Sequence, residues 1–152
     1  MLRSLATASV VLALVAAPSP AVASEAAPAT GKGACGAKPM APHESKGEGK
    51  KRDRKVILAK VSAMCQGTKG LSRLVIDAKL QKKTQRGWKN ATRNRTQSFS
   101  PVKMGKKYVL RTHDINCQRG TFRVYFRVSG KVDGTMRYGN WGAGEPKKNP
   151  CG

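Results

Sequence analysis

Acidic residues are scarce in this chain. Eight Asp and Glu stand against 30 Lys and Arg, a formal net charge of +22. That excess goes far beyond what solubility requires and implies attraction to polyanions, while saying nothing about fold. Histidine is nearly missing, with only His43 and His113 present, and no Cys-x-x-Cys or Cys/His cluster occurs. The usual ligand sets for a metal are therefore lacking, and neither a metal nor another cofactor is expected. Long apolar runs are confined to the N-terminus, so no later segment approaches the about 20 residues a membrane-crossing helix needs. Helical periodicity is lacking as well, and the alternation that does occur has period two.

What is present begins with a leader. Arg3 supplies a positive start, Leu5 to Ala17 is an apolar run, and Ala21-Val22-Ala23 is a small-residue cleavage site. Residues 1–23 read as a signal peptide, and the run is too short for an anchor. The chain is expected to be secreted and not membrane-spanning. Residues 24–54 are Ala, Pro, Gly, Lys and Glu without apolar periodicity, which predicts a disordered basic tail. The run Lys50-Lys51-Arg52-Asp53-Arg54-Lys55 within it reads either as a flexible basic arm or as a solvated linker.

An ordered domain is expected over 55–152. In Val56 to Cys65 the residues Ile57, Ala59, Val61, Ala63 and Cys65 share one face. A turn follows at Gly67 and Gly70, and then Leu74, Ile76, Ala78 and Leu80 alternate with a basic outer face containing Arg73 and Lys79. Lys82 to Gly87 reads as a hairpin loop, with a polar return strand from Trp88 to Phe99 that suits a sheet edge. Lys107 to Asp114 predicts a further strand. The clearest signal is Thr121 to Ser129, where Phe122, Val124, Phe126 and Val128 alternate with Thr121, Arg123, Tyr125 and Arg127. Asp133-Gly134 then marks a tight hairpin turn. Trp141 is expected to fold over the end of the core. Six or seven short strands without helices predict an antiparallel β-sandwich with an immunoglobulin-like outline.

Cys35, Cys65, Cys117 and Cys151 in an exported chain of this size predict two disulfides, with three connectivities open. Pairing Cys65 with Cys117 would tie the sheets together, and Cys35 with Cys151 would clip the termini. The order Cys65, Trp88, then Cys117-Gln118-Arg119-Gly120-Thr121-Phe122-Arg123 resembles small exported β-sandwich proteins of Gram-positive actinobacteria, over roughly Lys55 to Tyr138. The resemblance implies the fold and carries no established activity. Trp88 lies late after the first Cys, and Ile115 stands where immunoglobulin domains place a tyrosine.

Catalysis has little to work with. An exported ribonuclease would need His113 with either His43 or Glu145. The non-enzymatic reading rests on Arg123, Tyr125 and Arg127, which alternate cation and aromatic about 7 Å apart on one face, with Arg73 and Lys79 on the neighbouring strand. Arg forks onto phosphate or sulfate, and a Tyr ring stacks on a base or sugar. An anionic polymer or anionic cell surface is the expected partner: wall teichoic acid, extracellular nucleic acid or anionic lipid. The competing reading of that face is a solvated surface whose cross-strand pairs only stabilise the sheet. A protein-interaction module or inhibitor within a secreted complex is the other non-enzymatic class.

Overall fold

The computed structural model describes residues 34–67 and 69–152. The signal peptide expected over 1–23 and the tail residues 24–33 lie outside them. The chain runs β1 (Ala34–Glu44), α1 (Lys46–Arg52), β2 (Val56–Gln66), β3 (Leu71–Thr84), β4 (Gly87–Asn90), β5 (Arg95–Phe99), β6 (Lys107–Arg111), β7 (Ile115–Asn116), β8 (Thr121–Val132), β9 (Thr135–Tyr138), β10 (Gly142–Ala143) and β11 (Lys147–Lys148). Every strand pair is antiparallel, and the strands form two sheets. The smaller sheet has the order β1-β2-β6, with β7 also on β2. In the larger, β8 and β3 form the centre; β4 and β5 flank β3, and β9, β10 and β11 flank β8.

The two apolar faces read from the sequence meet between the sheets. Ile57, Ala59, Val61 and Ala63 of β2 and Tyr108 and Leu110 of β6 pack with Leu74, Ile76, Ala78 and Leu80 of β3 and Phe122, Val124 and Phe126 of β8. Small Ala on β2 and β3 leaves room for the Phe rings of β8, so the layers interdigitate. The Asp133-Gly134 turn joins β8 to β9 with both residues at positive φ, 48° and 80°, the geometry that matches strand twist.

Several sequence expectations need correction. The predicted tail is ordered from Ala34 onward: β1 pairs with β2 from Ala34↔Gln66 to Glu44↔Ile57, and α1 follows, capped by the Ser45 hydroxyl and a left-handed Asp53. The first half of the basic run, Lys50 to Arg52, thus forms the end of a short capped helix, whose start is fixed by the Ser45 N–H donating to the Val56 carbonyl at 2.9 Å. The hairpin loop is shorter than expected, because β3 continues to Thr84, which pairs with Gly87. The polar return strand breaks into β4 and β5, where Thr92 accepts a hydrogen bond from the Leu80 N–H at 2.9 Å and interrupts the ladder. The extra strand segments are mostly two to four residues long.

The disulfides are Cys35–Cys65 and Cys117–Cys151. Register explains the first, since Cys35 lies directly opposite Cys65. The second joins the residue after β7 to the segment after β11. Two disulfides in so small a domain place it in an oxidising environment. Among the described residues no helix is long and apolar enough to cross a membrane.

Candidate functional site

The outer face of the larger sheet carries the cationic residues expected from β3 and β8. Register sets Asp77 opposite Arg127, Lys79 opposite Tyr125 and Gln81 opposite Arg123. Three further aromatics arrive from elsewhere in the chain. Trp88 stands opposite Lys83 on β4, Tyr138 stands opposite Ser129 on β9, and Trp141 immediately precedes β10, which pairs with Tyr125 and Phe126. Trp141 therefore lies on the outer sheet face and not over the end of the core.

These side chains interleave. The Arg123 guanidinium lies 4.2 Å from the Trp88 ring centre and 5.8 Å from that of Tyr125. Tyr125 and Trp141 stack at 5.1 Å with 9° between their planes. The Lys79 ammonium sits 5.6 Å from Tyr125 and 5.1 Å from Trp141. Arg127 closes the row, 5.0 Å from Trp141 and 5.2 Å from Tyr138. Each such contact is worth about 0.5–2 kcal/mol, depending on exposure. The row thus holds long side chains in place and presents cations with their conformational freedom already reduced.

The cations differ in what they can still offer. Arg127 donates to one oxygen of Asp77 from Nε at 3.1 Å and from a terminal nitrogen at 2.9 Å. Asp77 is 4% exposed and also accepts from Thr96 at 2.5 Å and Asn94 at 3.1 Å. Burial alone would raise the Asp77 carboxyl, but the hydrogen bonds from Thr96, Arg127 and Asn94, with the Arg127 charge, hold it below the usual range. Arg127 is consequently a structural cation. Arg123 donates from Nε to the neutral Gln81 carbonyl at 2.9 Å, so its charge is uncompensated there. Burial lowers the Arg123 guanidinium from its ordinary value, with Tyr125 acting in the opposite direction; an arginine stays charged regardless.

Arg73 shares the face but not the row. It lies four residues along β3 from Asp77, about 13 Å away, directly opposite Lys131. The same cation-on-cation register recurs at Lys82↔Lys89 and Lys60↔Arg111. Like charges directly opposite each other destabilise a sheet.

The residues of the alternative chemistry stand apart from this row. His113 accepts a hydrogen bond from Arg93 Nε at 3.3 Å. Its imidazole is lowered first by burial and then by the charges of Arg93 and Arg95, with Asp114 and an Asn94 backbone bond opposing. His43 bonds the Ala41 carbonyl at 3.0 Å, and Glu145 is exposed. Glu44, Cys117 and Cys151 bring ligand-type atoms within 4.8 Å of one another, but the two sulfurs are bonded to each other and offer no thiolate.

The fold and face together define a disulfide-linked β-sandwich with a cation–aromatic sheet surface. No family model, curated protein or solved structure matches the chain.

Trp88, Tyr138, Trp141 and Asp77 were not singled out as site residues from sequence. Their signal exists only in the register: once Asp77 is aligned with Arg127, the buried acid and its arginine are a pair.

Proposed function

We propose that this is an exported, non-enzymatic protein that adheres to anionic polymers through the outer face of its larger sheet. The observation that carries the reading is the placement of a cation directly opposite a cation at Arg73↔Lys131, on the same face as Lys79 and Arg123, which stand opposite Tyr125 and Gln81 and face no acid across the strands. An isolated sheet gains nothing from such a pair, whereas a bound polyanion turns the repulsion into binding energy. Lys79 and Arg123 are the central contacts, Arg73 flanks them, Tyr125 orders them, and Arg127 keeps the face in shape.

Retention on immobilised poly(glycerol phosphate) tests this. The logarithm of affinity should fall linearly with the logarithm of salt, by about 0.7–0.9 per phosphate neutralised. Lys79→Gln with Arg123→Gln should reduce that slope by about 1.5. Lys50→Gln with Lys51→Gln, on α1, should leave it nearly unchanged. Salt-independent retention contradicts the proposal, and a larger effect from the α1 pair moves the site to the helix.

A further inference from the structure

The opposite side of the molecule carries a different surface. Cross-strand register on the outer face of the smaller sheet sets Lys38, Ser62 and Val109 in one row and Met40, Lys60 and Arg111 in the next. Met64 and Lys107 stand opposite each other in a third row. Strands about 4.8 Å apart and same-face residues about 6.8 Å apart make this a flat mosaic of cations and flexible apolar side chains. Met40, Met64 and Val109 are exposed at 45%, 40% and 40%, among the most exposed large apolar groups of the described residues. The acid that reaches this face is Glu48 of α1, 3.6 Å from Arg111.

We infer that this face docks on an anionic lipid bilayer, with Lys38, Lys60 and Lys107 at the phosphates and Met40, Met64 and Val109 entering the headgroup boundary. The charge pattern selects this occupant. A second copy of the chain would set the same cations against each other. A protein partner is the weaker fit, because lysine is depleted from protein interfaces and aromatic anchors are favoured there. A headgroup layer accepts both components, since cations near an anionic leaflet and apolar side chains at its boundary each add affinity. The inference is independent of the polymer-binding face, because it uses the other sheet.

Cosedimentation of the intact, disulfide-bonded protein with vesicles tests it. Vesicles of phosphatidylcholine mixed with phosphatidylglycerol should bind the protein, and phosphatidylcholine alone should not. Lys38→Gln and Lys60→Gln should each weaken partitioning about five-fold. Met40→Ser and Met64→Ser, at exposed positions that leave the melting temperature in place, should do so by a similar factor. Soluble poly(glycerol phosphate) binding should ignore the methionine variants, and Lys79→Gln with Arg123→Gln should spare vesicle binding. Unchanged vesicle binding in the methionine variants would overturn docking in favour of plain charge attraction. Loss of vesicle binding on Lys79→Gln with Arg123→Gln would overturn it in favour of the other face. Binding to neither vesicle, with capture of an acidic protein instead, would overturn the choice of occupant.

Discussion

Replacing Cys117 and Cys151 by Ser is expected to lower stability by about 3.8 kcal/mol, the loop-entropy value for closing residues 34 apart. The loss should not be uniform. Cys151 anchors the segment that supplies β10 and β11 to β8, and Gly144 in that segment packs so closely that an added Cβ would lie 2.7 Å from Val124 and 2.9 Å from Pro39. Without the bridge this segment should open before the core does. Hydrogen exchange should therefore rise first at Gly144 and Asn149, whose N–H groups bond Val124 and Gly120. Trp141 emission should shift as its stack on Tyr125 loosens. The Cys35→Ser, Cys65→Ser pair closes a loop of similar size, 30 residues, and should cost about the same, but with β1 opening first. Identical exchange patterns in the two variants would contradict this division.

Asp77→Asn is expected to cost about 3 kcal/mol, the scale for breaking a buried ion pair by removing one partner. Asp77 ties β3 to β8 through Arg127 and to β5 through Thr96, with Asn94 just before β5, so one carboxylate holds three strands in register. The pH dependence follows from its lowered carboxyl. In the unfolded chain the group titrates near its ordinary value of about 3.9. The stabilisation is thus complete above that pH and drains away as pH falls through the lower folded value. Denaturant midpoints from neutral to strongly acid pH should show the native protein losing this increment at the acid end, while Asp77→Asn lacks it throughout. A variant as stable as the native protein at neutral pH would show that the pair adds nothing net.

The strands that sequence revealed are those whose faces differ sharply in chemistry. Phe122, Val124 and Phe126 alternate with Thr121, Arg123 and Tyr125, and the structure buries the first set and leaves the second half-exposed. β1 escaped because its inward positions are Cys35, Ala37 and Pro39, too small to register as a core face, and because proline reads as a strand breaker. On an edge strand such as β1, proline is tolerated, and the bond between Cys35 and Cys65 supplies cohesion that apolar bulk does not. The disulfide pattern was hidden for the same reason: a cysteine thought to lie in a tail has no fixed neighbour. Of the candidate site, the cations Arg123, Arg127 and Lys79 were legible from alternation alone. The neutralisation of Arg127 was not, since it depends on which β3 residue stands across from it.

The flanking of β8 by β9, β10 and β11 has a consequence for the chain before it is complete. These segments come after β8 in sequence, and together they occupy the side of β8 that faces away from β3. A polypeptide ending before Thr135 still contains most of the interior, yet it displays a long bare row of amides and carbonyls to any molecule nearby. Protection against clumping is therefore written into the residues from Thr135 to Lys148, and a form truncated before them is the one to expect in insoluble deposits.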